Sequence, residues 1–320
     1  MDRFDDIPET ALAWHRAGKG AALATVVETW GSAPRRVGSQ LAISGEGEIE
    51  GSVSGGCVEG AVVAEAIDAI EAGRSVTLEY GVSDGDAFAV GLACGGTIRV
   101  LVEPVGLVLP EDLLADLVLA REARVPVAYV TGPEGRSLER DGHESRFRMD
   151  HSGFKEDGET FVAIHNPPLR LIIVGAVHIA QALVPMARIA GYDPILIDPR
   201  ESFASEARFP GETVLHDWPD EGLRALGLDQ RTGLVLLTHD PKLDDPALTE
   251  ALRSDVFYIG ALGSTRTHAK RVERLHEAGF SEAEIGRIHG PIGLDIGAAG
   301  PSEIAVSILA EMTRVLRKGA

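Results

Sequence analysis

Residues 169–174, Leu-Arg-Leu-Ile-Ile-Val, run into a glycine turn at Gly175 and then into a helical pattern over 178–190. An apolar stretch that feeds a turn and a helix is what a strand covered on both faces requires, and such strands belong to parallel sheets. The same alternation repeats with strands expected at 194–197, 213–215, 234–238 and 256–259, and helices between them. This implies a doubly wound sheet joined by right-handed crossovers. The final helix is signalled by Pro301 at its first position, with Ile304, Ile308, Met312 and Val315 at helical spacing.

The pattern before Asn166-Pro167-Pro168 is different, and paired prolines favour an extended linker. A chain of 320 residues also suits about two domains of roughly 150 residues each. Domains are therefore expected over 1–166 and 169–320. The fold class predicted is α/β, an N-terminal α/β domain with glycine-rich loops followed by a C-terminal Rossmann-like domain. In the first domain, strands are predicted at 21–28, 40–44, 48–54, 76–80, 97–103 and 125–130. Val58, Val62, Ala66 and Ala69, with Val63, Ile67 and Ile70, mark a helix ending at Gly73. A second helix is expected at 111–123, and hairpins or loops over 132–158.

Charge excludes some partners. The 30 Lys and Arg against 49 Asp and Glu give a net charge of −19, which argues against nucleic acid and anionic lipid. The imbalance is −14 over 1–168 and −5 over 169–320. A hydrophobic share of 44% is ordinary for a globular chain. No apolar run reaches the ~18 residues of a membrane span. The acidic start Met1-Asp2-Arg3-Phe4-Asp5-Asp6 lacks the basic and apolar regions of a secretion signal, so a cytoplasmic location is expected. Cys57 and Cys94 are the two cysteines, too few for a disulfide framework or a Cys-only zinc site.

Each cysteine lies beside a glycine pair. In Ser54-Gly55-Gly56-Cys57-Val58-Glu59 the thiol falls just before a predicted helix, where backbone N–H groups favour a thiolate, and the glycines would let a ligand approach the backbone. A buried cysteine under a glycine turn is the plain alternative. Cys94-Gly95-Gly96 repeats the arrangement 37 residues on, and the two thiols would serve one ligand only if the fold brings them together. Gly31-Ser32-Ala33-Pro34-Arg35-Arg36 offers two adjacent guanidinium groups, suited to phosphate unless they are ordinary surface arginines.

In the second domain, Gly175 and Ala180 fit the first and third glycine positions of a dinucleotide turn, while Val177 stands where the second should let the diphosphate approach. Asp198 lies 23 residues beyond Gly175, near the ~20 expected of a carboxylate on a ribose. A Rossmann-like scaffold without a dinucleotide stays open beside NAD(P) binding. Thr238-His239-Asp240, Gly260-Ala261-Leu262-Gly263-Ser264 and the His289–Gly297 loop, with Gly293 and Asp295, follow strands or precede the last helix, the place where open α/β sheets bind ligands. No His-Glu-x-x-His or comparable spacing occurs, and no dedicated metal site is expected.

Taken together, Ser54-Gly55-Gly56-Cys57-Val58-Glu59, Cys94-Gly95-Gly96, Thr238-His239-Asp240-Pro241, Tyr258 to Ser264 and Pro291-Ile292-Gly293-Leu294-Asp295-Ile296-Gly297 resemble the XdhC/CoxI family. Its members are accessory proteins of xanthine dehydrogenase and related molybdenum hydroxylases. The resemblance implies a chaperone, rather than an enzyme, that binds molybdenum cofactor (molybdopterin) as cargo. It would protect the cofactor during sulfuration by a cysteine desulfurase and deliver it to the hydroxylase, and a homodimer would be in keeping. The Rossmann-like domain of relatives is commonly taken to bind NAD. Val177 departs from the frequent Gly-Ala-Gly-His form, and Ala93 from a common glycine.

The residues so implicated in binding are Arg35, Arg36, Ser54, Gly55, Gly56, Cys57, Glu59, Cys94 and Gly95 in the first domain. In the second they are Gly175, His178, Asp198, Thr238, His239, Gly260, Gly263, Ser264, Gly293 and Asp295. On this reading Arg35 or Arg36 anchors the cofactor phosphate, Gly55 and Gly56 line a slot, and Cys57 approaches the molybdenum or its sulfur. The alternatives are an NAD(P)-dependent oxidoreductase using His178 or His239 as acid or base, and a docking module without a ligand.

Overall fold

A ten-residue strand of small and branched side chains organises the first half of the chain. The computed structural model describes residues 6–33, 35–81 and 96–319, and the chain forms two compact units, Met1–Pro167 and Pro168–Ala320. In the first unit, α1 (Ile7–Arg16) is followed by β1 (Ala21–Trp30), β2 (Gln40–Ser44), β3 (Ile49–Gly51), α2 (Glu59–Ala72), β4 (Val76–Tyr80) and β5 (Thr97–Pro104). The five strands form one antiparallel sheet in the order β3-β2-β1-β5-β4.

Strand alternation sends Ala22, Ala24 and Val26 of β1 into one core with Val62, Ala66 and Ala69 of α2. Ala21, Leu23 and Val27 point the other way, into a core with Ala11 and Leu12 of α1. That second core is completed by α3 (Glu111–Glu122), β6 (Val127–Gly132), β7 (Gly135–Glu139), β8 (Gly153–Phe154) and β9 (Phe161–His165), while α4 (Glu144–Met149), between β7 and β8, contributes nothing to it. Here Leu114 and Leu117 join Tyr129, Phe161 and Ala163, and the strands make a second sheet, β7-β6-β9-β8. The stretch read as hairpins or loops thus also carries a helix. It was invisible to periodicity because α4 has no buried residue.

Antiparallel order has a positional consequence. β1 ends where β2 and β5 begin and where β3 and β4 end, as the pairings Thr25 with Gln40, Trp30 with Thr97, Leu41 with Gly51 and Tyr80 with Ile98 show. The connections 31–39 and 52–58, together with Gly81 and Gly96, therefore lie at one end of the sheet, which gathers the arginine turn, the Cys57 motif and the last glycine of the Cys94 motif.

The second unit runs β10 (Leu169–Val174), α5 (His178–Ile189), β11 (Tyr192–Ile197), β12 (Thr213–Leu215), α6 (Pro219–Leu226), β13 (Thr232–Leu236), α7 (Pro241–Leu252), β14 (Tyr258–Ala261), α8 (Thr265–Glu277), α9 (Glu282–Ile285), β15 (Ile288–His289) and α10 (Pro301–Lys318). All six strands are parallel, in the order β12-β11-β10-β13-β14-β15. Counted from β10 this is 3-2-1-4-5-6, the Rossmann order, whose switch point lies between β10 and β13.

One face is covered by α5 and α10, through Leu183, Val184, Ile308 and Met312. The other is covered by α6, α7 and α8, through Leu223, Leu243, Leu248 and Leu275. Arg170 sits buried inside the apolar run, where its guanidinium donates to the Thr232 hydroxyl and to the carbonyls of Leu226 and Gly227. A paired arginine of this kind leaves the strand intact. The sixth strand is only two residues long, too short for a sequence pattern to announce. Among the described residues no helix is long and apolar enough to cross a membrane.

Candidate functional site

The loop before α2 is shaped by one carboxylate. Glu59 is buried, and its Oε1 accepts from the Ser52 hydroxyl at 2.7 Å and from the amides of Val53 and Ser54 at 3.2 and 2.9 Å. Its Oε2 accepts from the Ser54 hydroxyl and, at 2.8 Å, from the Gly56 amide. The Ser54 hydroxyl in turn accepts from Val58 N–H at 2.9 Å, just ahead of the helix. Burial raises the Glu59 carboxyl, but the bonds from the Ser54 and Ser52 hydroxyls and the Ser54 amide outweigh it and bring it down to about 2.

Five donors from its own loop leave Glu59 shaping the site rather than facing a ligand. What it presents is Gly55, Gly56 and Cys57, all exposed, with a free thiol on Cys57. Both glycines have positive φ, 72° and 108°, which side chains resist. A Cβ on Gly56 would meet nothing within 4 Å, so the loop offers bare backbone to whatever approaches. Ser54 is buried, inside the loop rather than on it.

The arginine turn is packed against the same region, because Ala33 joins the core that contains Val53 and Val58. Gly96 lies backbone to backbone with the turn, since a Cβ there would stand 2.3 Å from the Ser32 carbonyl oxygen. The glycine at the end of the second cysteine motif thus meets the arginine turn; Cys94 and Gly95 themselves lie outside the described residues. Arg36 is exposed and Arg35 half-buried. Arg35 differs in a second way, because its Nε is a buried donor without a partner. An unmet guanidinium donor is well suited to an anion's oxygen.

In the second unit the residues at the carboxyl edge separate into those that face a ligand space and those that hold the fold. An open pocket of about 700 Å³ is lined by Val177, His178, Ile179, Arg200, Leu237, Thr238, His239, Asp240, Pro241 and Leu262. Of the implicated residues it gathers His178, Thr238 and His239. Thr238 donates its hydroxyl to Asp244, and His239 takes φ of 50° in the turn between β13 and α7. Gly175 makes the turn at φ 103°, with room for no Cβ against the Thr238 methyl at 2.5 Å.

Asp198 does not offer the ribose contact that its spacing suggested. It is fully buried, with Oδ2 accepting from Ala176 N–H at 2.8 Å and Arg200 Nη2 at 2.7 Å. Its Oδ1 accepts from the Arg200 amide at 3.0 Å and Nε at 2.8 Å. Four bonds fill the carboxylate's acceptor sites. Burial opposes the charge, and the bonds from Arg200 and Ala176 outweigh it, holding the carboxyl below the usual aspartate range. Arg200 is the pocket residue that sequence reading missed; its signal was the Asp198-Pro199-Arg200 sequence at the end of a buried strand.

The remaining glycines serve packing. Gly260 has Ile292 where its Cβ would be, at 2.5 Å, and Gly293 has the Ser307 hydroxyl at 2.3 Å. Gly263 faces Thr267, and Ser264 caps α8 by accepting from Thr267 N–H. Gly293 N–H is held by Glu311 at 2.9 Å, while Asp295 is exposed.

Comparison with known proteins adds a second line of observation. Residues 14–81 match the XdhC and CoxI family and 171–312 match the XdhC Rossmann domain. The chain is 34% identical over 300 residues to the molybdenum cofactor insertion chaperone PaoD of Escherichia coli (strain K12), covering 93% of this chain and 84% of that protein. The chain belongs to the XdhC and CoxI family. A second relative, a probable xanthine dehydrogenase component of Bacillus subtilis (strain 168), is 27% identical over 323 residues, with 94% of each chain covered. A crystal structure described as a xanthine dehydrogenase from Bacillus halodurans superposes with a TM-score of 0.65 at 27% identity, covering 98% of this XdhC and CoxI member and 96% of the other chain. The arginine turn and Cys57 loop fall in the first matched segment. The pocket at the Rossmann edge falls in the second.

Proposed function

We propose that this XdhC and CoxI member binds molybdenum cofactor as cargo and inserts it into xanthine dehydrogenase or a related molybdenum hydroxylase. The relative named as a molybdenum cofactor insertion chaperone spans nearly the whole chain, which supports a maturation role. The observation that carries the assignment to the first unit is the unmet Nε of Arg35, at the end of the sheet where the Cys57 loop also lies. The cofactor is a pterin with a terminal phosphate and a dithiolene-bound molybdenum. Arg35 takes the phosphate, the bare backbone at Gly55 and Gly56 receives the flat pterin, and the Cys57 sulfur meets the soft metal or its terminal sulfur.

Sulfuration fits the same arrangement. A cysteine desulfurase needs the metal end exposed, and Cys57 is the exposed end of the loop. A cytoplasmic location and a homodimer complete the reading. NAD(P) oxidoreduction is the weaker alternative, since Val177 lines the pocket at the start of α5 and Asp198 has no acceptor left for a ribose.

Equilibrium titration of the purified chain with released cofactor tests the assignment. Removing a charge-assisted bond costs about 1.5–3 kcal/mol, so Arg35→Ala is expected to weaken binding roughly 10- to 100-fold, and Cys57→Ala to weaken it less. Arg36→Ala, exposed and outside the cradle, leaves affinity within about threefold. Unchanged affinity in both Arg35→Ala and Cys57→Ala overturns the site.

A further inference from the structure

A second pocket, of about 290 Å³, opens beside the first and shares His239 and Pro241 with it. Its other lining residues are Arg266, Thr267, Lys270, Arg271 and Arg274. Four cationic side chains around one small cavity stand out in a chain of net charge −19. Arg274 is neutralised, forking onto Asp245 at 2.6 and 2.9 Å, whereas Arg271 is met in part, its Nη2 reaching Asp244 at 3.2 Å and the Leu262 carbonyl at 2.9 Å. Arg266 and Lys270 are exposed and have no carboxylate partner among the described residues.

Arg271 is the decisive member. Its side chain is 1% exposed, yet its Nε is a donor with no partner. Asp244 carries a share of the buried charge but also accepts from Thr238, so the cluster has more donors than acceptors. His268, whose Nδ1 lies 3.5 Å from Arg271 Nη1, is pushed below the usual histidine range by burial and by the Arg271 charge. A cluster with this excess of donors suits an anion with several oxygens. Concavity favours a small ligand over a protein surface, and multiple donors on one cavity favour a phosphoryl group over a carboxylate.

The larger pocket sets what the phosphoryl group is attached to. Its walls at Val177, Ile179, Leu237 and Leu262 are apolar, with His178, Thr238 and Asp240 as hydrogen-bonding groups, and its volume lies within the ~300–1,000 Å³ typical of small-molecule sites. A dinucleotide in the usual pose would put its diphosphate at the Gly175 turn and the start of α5. The basic pocket instead lies between the start of α7 and the side of α8, helices that cover the opposite face of the sheet from α5. We propose that these joined pockets bind an organic phosphate, with the phosphoryl group on Arg266, Lys270 and the buried Arg271 and the organic moiety at the carboxyl edge of the sheet.

The inference goes beyond the cofactor reading and does not depend on it. Calorimetric titration of the full chain with inorganic pyrophosphate and with ADP tests it at low salt, beside the doubly substituted Arg266→Ala, Lys270→Ala chain. Both substitutions are at exposed positions, so the fold is retained. The proposal expects both probes to bind, ADP at least fivefold more tightly, and both to weaken at least tenfold in the variant. Neither probe binding at millimolar concentration, or affinities unchanged in the variant, overturns it. Equal affinity for the two probes overturns the organic half, and binding of a poly-glutamate peptide without either probe reassigns the face to an acidic protein partner.

Discussion

Two buried carboxylates each hold a glycine turn in this chain, and they are neutralised in different ways. Among the described residues Glu59 is met by hydroxyls and amides of its own loop, whereas Asp198 is met by an arginine as well as by the Gly175 turn. The first arrangement leaves an anion inside a small neutral loop whose outer surface is bare backbone and a thiol. The second leaves a partly exposed guanidinium, Arg200, at the rim of a pocket. The same device thus presents bare backbone and a thiol in one unit and a cationic rim in the other.

The comparison breaks most visibly on amide substitution. Glu59→Gln puts an NH2 group against donors whichever way it turns, so an expected loss of about 3 kcal/mol in unfolding free energy accompanies at least a tenfold loss of cofactor affinity. Asp198→Asn is expected to cost a comparable amount of stability through the stranded Arg200, while cofactor affinity stays within about twofold because Asp198 belongs to the second unit and the proposed cofactor site to the first. Denaturant unfolding and cofactor titration on the two variants separate these outcomes. Loss of cofactor binding in Asp198→Asn would join what the account keeps apart.

A smaller effect comes from pH. Burial and the Arg121 charge push the His165 imidazole down to about 3, and Glu59 lies at about 2. Both groups bind a proton less readily folded than unfolded, so their stabilisation is complete above the unfolded pKa and is lost as pH falls. The window opens near 6.5 for His165 and near 4.5 for Glu59. Between pH 7 and pH 5 the first unit is expected to lose about 2 kcal/mol. His165→Leu, whatever its overall cost, flattens that slope in urea unfolding at the two pH values; an unchanged slope assigns it elsewhere.

The sequence spoke unequally about these regions. The parallel sheet was legible because strands covered on both faces are apolar along their length, and β10 keeps that pattern around the buried Arg170. α4 was not legible, having no buried face. The candidate residues were visible as types, but their division into ligand-facing and packing groups was not. Gly260 and Gly293 read like loop glycines until Ile292 and Ser307 are seen against them. Glu59 followed the Cys57 motif as a candidate contact, and only the fold shows both its oxygens turned onto the loop. Convergence of the arginine turn, the Cys57 loop and Gly96 depends on strand order, which no local pattern encodes.

The central claim is that the first unit carries the cofactor. Mass spectrometry and metal analysis of the chain purified from a host that makes the cofactor test it most directly. The account predicts pterin and molybdenum together in the unaltered chain, and the loss of both when Arg35→Ala and Cys57→Ala are combined. Neither component in the unaltered chain, or equal amounts in the doubly substituted one, would contradict it.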